Sequence, residues 1–232
     1  MATNSYPFNR FTMTKHISRF TLLLLLSVSL FTGCKKKETE GDANPPLPET
    51  SSLVSATKTG SHTTLQLKLM ASLGGYQAVV PLIKYDLNFV KIVYTTSFRG
   101  NKISASGLLV IPKNPSATPS IISAQHGTTL LDATAPSNVP SPDAFTGYEL
   151  LSTTGFITVI PDYIGYGTSK DLVHPYYDKE HSALAVVDML KAVTEYLKQE
   201  KIAFNDKLYM IGYSEGGYVT MAAQKSIEAT PI

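Results

Sequence analysis

Tryptophan is absent, and only one cysteine, Cys34, occurs in 232 residues. A lone cysteine rules out an intrachain disulfide and any zinc site built from several thiolates. Charge of one sign is also missing: the formal net charge is +2, and no basic stripe runs between aromatic residues. Nucleic acid is therefore not an expected partner. No apolar run is long enough to cross a bilayer. The longest, Phe20 to Phe31, is twelve residues, or about 18 Å as a helix against a hydrocarbon core of ~30 Å. Clusters of His, Asp and Glu at metal-ligand spacing are lacking too, and no motif calls for a cofactor. What remains, 43% hydrophobic and 16% charged with 13 Tyr and 9 Phe, is the composition of a globular protein.

The short apolar run has a basic approach. Arg10, Lys15 and Arg19 precede it, and the first carboxylate is Glu38. A basic flank, a short apolar stretch and then small residues describe a secretory signal peptide. The run ends Leu30-Phe31-Thr32-Gly33-Cys34, which resembles the lipobox of bacterial lipoproteins. That resemblance implies cleavage before Cys34, lipidation of its thiol and membrane attachment in the bacterial cell envelope. Residues 1–33 are then a signal peptide. Residues 34–50 carry mixed charges, three prolines and almost nothing apolar, as expected of a flexible tether.

Residues 51–232 read as a globular domain. Leu65 to Leu73 is a helix candidate closed by Gly74-Gly75. Lys91–Phe98 and Ile103–Ile111 read as strands joined by a turn at Arg99 to Lys102. The pattern then alternates. Ser120–Gln125 predicts a strand, Ala144–Thr154 a helix capped by Gly155, and Phe156–Ile160 a strand. Lys179 to Gln199 repeats its apolar residues at helical spacing, and Lys207–Ile211 predicts a strand followed by a helix from about Gly216. A hairpin followed by alternating strands and helices predicts an α/β sheet, mostly parallel, with helices on both faces. Chemistry in such sheets gathers at the carboxyl ends of the strands. Here those ends are His126-Gly127, Asp162-Tyr163 and Tyr213-Ser214.

Gly212-Tyr213-Ser214-Glu215-Gly216 is a G-x-S-x-G. Chance supplies about 0.08 such matches in a chain this long, so the letters weigh little alone. Their setting weighs more: an apolar strand enters and a helix leaves, as a nucleophile elbow requires. With Ala124-Gln-His126-Gly127-Thr128 and Pro161-Asp-Tyr-Ile-Gly165-Tyr-Gly167-Thr-Ser169, the chain resembles the α/β-hydrolase superfamily, and within it bacterial esterases and secretory-lipase-like enzymes. The resemblance runs from about Val90 onward. It implies that Ser214 is the nucleophile, that the backbone N–H groups of Thr128 and Glu215 form the oxyanion hole, and that the substrate is a small-molecule ester. On the same reading His126 shapes the oxyanion loop, Asp162 caps its turn, and Gly165 and Gly167 supply unusual backbone angles. His174 and His181 are expected at the surface or at a helix cap.

The superfamily orders its triad Ser, then Asp or Glu, then His. The eighteen residues after Ser214 hold Glu215 and Glu228 but no histidine. The expectation is an N-terminal part of an α/β-hydrolase, inactive alone, whose strand Leu208–Ile211 is an uncovered apolar edge. Two other readings stand beside the esterase: a peptidase of the prolyl-oligopeptidase type, and a non-catalytic surface lipoprotein that keeps the fold for binding.

Overall fold

The computed structural model describes residues 51–232. The expected signal peptide, the Cys34 anchor and the tether lie outside the described residues. Among those residues no helix is long and apolar enough to cross a membrane.

The chain starts with β1 (Leu53–His62), α1 (Thr64–Leu73), β2 (Leu87–Phe98) and β3 (Asn101–Pro112). Thr63 opens α1 through a capping box: its Oγ1 accepts from Gln66 N (3.3 Å), and its own N–H donates to Gln66 Oε1 (2.9 Å). Gly74 N–H closes the helix on Met70 O at 2.8 Å. β2 and β3 pair without interruption from Leu87↔Pro112 to Phe98↔Asn101. The turn is therefore only Arg99-Gly100, at φ 50° and 78°. Two consecutive positive φ values match the twist of a tight hairpin, which draws Asn101 and Lys102, expected in the turn, into the ladder. β1 was not predicted. Its ten residues show no apolar alternation, because on the outer side of β2 none of them is fully buried and half are exposed.

β4 (Ile121–Gln125), β5 (Ile157–Pro161), α2 (Lys179–Gln199), β6 (Leu208–Gly212) and α3 (Glu215–Ala229) fall close to their expected places. One expected helix differs. Ala144–Thr154 is not α-helical; two 3₁₀ segments, Pro142–Ala144 and Tyr148–Thr154, flank a left-handed Gly147. The buried Glu149 carboxylate turns back to accept from Thr146 N (3.1 Å) and Oγ1 (3.0 Å), tightening the second segment. Gly155, at φ 110°, ends it as expected.

The six strands lie in the order β1-β2-β3-β5-β4-β6. Pairings up to β3–β5 are antiparallel, while β5–β4 and β4–β6 are parallel. Side chains alternate between two cores. Val90, Ile92, Tyr94, Leu109, Ile157 and Val159 pack with α2 and α3 on one face. Leu87, Phe89, Leu108, Val110 and Ile160 pack with α1 and the 3₁₀ segments on the other. Each fully buried Leu or Ile contributes about 1.5–3 kcal/mol. Among the described residues β6 forms the sheet's far edge, with Tyr209 50% and Ile211 43% exposed, whereas β4 and β5 are buried throughout. Because β4, β5 and β6 run the same way, the loops at their carboxyl ends meet at one edge of the sheet.

Candidate active site

β6 delivers the chain to a turn that only glycine permits. A Cβ on Gly212 would overlap the Gly216 carbonyl, and one on Gly216 would overlap the carbonyl of Gln125 on β4. Between them Ser214 has φ 55° and ψ −121°, a conformation costing a non-glycine residue about 1–3 kcal/mol. The surroundings hold it there. Gly216 N–H donates to Tyr213 O (2.9 Å) and Gly217 N–H to Ser214 O (3.0 Å). Thr220 Oγ1 donates to Gly216 O (2.7 Å). The fully buried Gln125 amide, with its oxygen on Ser123 Oγ, reaches Thr220 Oγ1 (2.7 Å) and Ile211 O (2.8 Å) and so ties β4, β6 and α3 together. Ser214 itself is exposed.

The loop after β4 rests on this turn. A methyl on Gly127 would lie 3.4 Å from Tyr213 Cδ1 and 3.6 Å from Ser214 Cβ. His126 is buried; its Nδ1–H donates to Gly127 O (2.8 Å) and its ring stacks on Tyr163 at 4.2 Å. Tyr163 Oη–H donates to His126 O at 2.9 Å. Burial holds the His126 pKa below its usual range, against weaker opposing hydrogen bonds and carboxylate charges, so the ring is neutral at pH 7. Its Nε2 is enclosed and has no polar partner among the described residues. His126 therefore shapes the loop. Thr128 is exposed, with Oγ1 3.4 Å from Tyr176 Oη. Glu215 begins α3, where the first N–H groups have no intrahelical acceptor. Both expected oxyanion donors thus belong to segments that flank Ser214.

The other motif residues are structural. Asp162 does not cap its own turn as expected: it is fully buried, and Oδ2 accepts from Ser106 Oγ on β3 (2.6 Å) and Oδ1 from Ser137 N (2.7 Å). Burial raises its pKa, opposed by those hydrogen bonds. Gly165 and Gly167 take φ 96° and 57°. Ser169, a rival nucleophile by position, is buried and donates to Tyr166 O (3.0 Å). Ser182 is buried within α2. His181 lies in the first turn of α2, where its Nε2 accepts from Arg99 N at 3.0 Å.

His174 departs from the expected surface position. Its side chain is mostly enclosed, and Nε2 meets Glu215 Oε1 at 2.7 Å while Nδ1 meets Ile164 O at 2.8 Å. Sequence reasoning missed this contact. The available signal was a carboxylate directly after the nucleophile, which needs a partner if buried, but its burial was not legible. A cleft of about 520 Å³ opens beside the elbow, lined by Tyr76, Val79, Leu82, Gly127, Leu150 and Tyr213. Among the described residues no lysine, arginine or carboxylate lines it.

Residues 143–229 match the prolyl oligopeptidase family profile. No curated protein matches. Among solved structures, a protein of Legionella pneumophila described as a hydrolase shares 31% identity at a TM-score of 0.70, covering 77% of this chain and 48% of that one. The rice cell wall degrading esterase LipA of Xanthomonas oryzae shares 27% at 0.66, covering 79% and 47%. Lipase A of Candida antarctica, at 18% and 0.52 over 78% and 39%, is alike in fold alone. The chain thus spans about half the length of the first two. With a parallel β5-β4-β6 sheet, helices on both faces and a strained serine between β6 and α3, the chain belongs to the α/β-hydrolase superfamily.

Proposed function

We propose that this protein is a serine hydrolase of the cell envelope that cleaves carboxylic esters through an acyl-enzyme on Ser214. The observation that carries the reading is the exposed Ser214 on a strained turn, with Gly127 against it and the start of α3 behind it. Ser214 Oγ attacks the ester carbonyl, the N–H groups of Thr128 and Glu215 receive the developing oxyanion, the C–O bond breaks as the alcohol leaves with a proton, and water then hydrolyses the acyl-enzyme to the free acid and Ser214. The proton of Ser214 needs a base. Among the described histidines, His126 Nε2 is enclosed, both nitrogens of His174 are engaged, His181 meets Arg99, and His62 packs on Phe89. Glu228 lies on α3 beside Gln224. None of these groups, among the described residues, is placed to take the proton from Ser214.

Esters rank above amides because the neighbours of 26–31% identity include an esterase, and because the cleft beside Ser214 is largely apolar. The prolyl oligopeptidase match favours the second reading, a peptidase. Assayed side by side, the full-length protein should turn over p-nitrophenyl esters at least about 100-fold faster, by kcat/KM, than aminoacyl-p-nitroanilides. The opposite preference would make it a peptidase.

The membrane is the proposed partner through Cys34, after removal of residues 1–33. Expressed in a bacterium, the protein should incorporate labelled fatty acid and partition into detergent, and Cys34→Ala should abolish both. Labelling that persists in the variant excludes this anchor.

A further inference from the structure

His174 sits where it has no part in the reaction just described, yet both of its nitrogens are engaged. Ile164 O and a Glu215 carboxylate oxygen are both acceptors, at 2.8 and 2.7 Å. A neutral imidazole carries one N–H and satisfies only one of them; an imidazolium facing the carboxylate satisfies both. Glu215 is 2% exposed, and a carboxylate at that depth requires such a partner. The chain approaches closely to make the contact: a Cβ on Gly165 would fall 2.7 Å from His174 Cα.

Glu215 is also the residue whose backbone N–H follows the nucleophile. We propose that His174 is a positioning residue, whose imidazolium anchors the Glu215 side chain to the Ile164 carbonyl and so fixes the direction of the Glu215 N–H toward the developing oxyanion. This inference rests on the reading of Ser214 as nucleophile and Glu215 N–H as donor. It gives the Glu of the elbow a task that a packing residue could not perform, since a two-ended hydrogen-bonded bridge sets an angle as well as a distance.

The groups facing His174 are few. Tyr163 and Tyr166, from the loop after β5, have ring centroids at 6.1 and 5.1 Å, and Tyr176 of its own segment lies at 6.1 Å. α3 contributes Glu215, and His126, from the loop after β4, stacks on the Tyr163 ring. Among the described residues Glu215 is the one charged neighbour that acts on it. Burial alone would lower the His174 pKa, but the bonds to Glu215 and Ile164 and the Glu215 charge outweigh burial and raise it above 6.5. A raised value means that the bridge is complete below about pH 6.5. It is lost as pH climbs through the raised pKa, when one nitrogen turns a lone pair toward an acceptor.

The test uses full-length protein carrying His174→Gln, Glu215→Gln, both together, and Ser214→Ala. Each single bridge variant should lower kcat and the rate of fluorophosphonate labelling together by about 10- to 100-fold, with KM within about twofold. The double variant should lose no more than either single, because both act through one contact. Wild-type kcat should decline on the alkaline side, and that limb should vanish in His174→Gln. Folded variants with wild-type kcat and the same alkaline limb would overturn the proposal, as would losses that multiply in the double. If His174→Gln does not fold, Glu215→Gln alone decides by the same readouts. Labelling and turnover that survive Ser214→Ala would instead defeat the underlying reading of the nucleophile.

Discussion

Ser214→Ala in the full-length protein should lower kcat for a short p-nitrophenyl ester by about 10⁶ and abolish fluorophosphonate labelling. Losses of that size follow removal of the nucleophile from a serine triad. The fold should survive. Ser214 is exposed and its side chain makes no capping bond, so alanine removes one solvent-facing oxygen and stability should change by no more than about 0.5 kcal/mol. Ser214→Gly makes a sharper companion. Glycine tolerates φ 55° where serine is strained, so this variant should be equally inactive yet about 1 kcal/mol more stable by denaturant midpoint. Labelling that persists in folded Ser214→Ala would place the nucleophile elsewhere.

Gly216→Ala should be the most damaging substitution that touches no reacting atom. The added methyl would overlap the Gln125 carbonyl and crowd that of His126, and neither backbone can yield without parting α3 from β4. Overpacking of this kind costs about 1–3 kcal/mol or more. A displacement of the elbow by about 1 Å removes roughly 100-fold in rate. Gly217→Ala is the control. The nearest atom to its added methyl is Gly212 O at 3.8 Å, and replacing a helical glycine by alanine gains up to about 1 kcal/mol. Two adjacent glycines, mutated identically, should therefore shift the denaturant midpoint in opposite directions. Equal behaviour would mean that α3 does not pack on β4 through Gly216.

The sequence carried the parts of this fold that alternate strongly. α2 was legible from Ala183, Val186, Leu190, Val193 and Leu197, all of which the structure buries. β4, β5 and β6 were legible as short apolar runs because each is bracketed by proline, glycine or polar turns. β1 was not, since an edge strand with one solvated face and an irregular register needs no apolar period. Ala144–Thr154 was read as a helix capped by Gly155, but the left-handed Gly147 breaks the segment in a way that periodicity cannot express. In the candidate site, Ser214 and its glycines could be read because steric demand fixes residue type at fixed spacing. The contact of His174 with Glu215 joins residues 41 positions apart. It depends on how the loop after β5 folds back, which no local pattern encodes.

The ladder register also bears on the order in which the molecule can assemble. β2 and β3 meet across two residues, so their pairing closes on the scale of an ordinary hairpin, about 1–10 μs. β4 and β6 pair Ile121 with Leu208, so their meeting closes a long loop that holds β5 and α2. Chain entropy opposes that closure far more than the hairpin's. The turn at Ser214 is held by β6 beside β4 and by α3 against Gln125, so its strain rests on packing between distant parts of the chain. A half-assembled copy leaves Ser214 on a relaxed backbone, and the φ of 55° is imposed only where β4, β6 and α3 pack together.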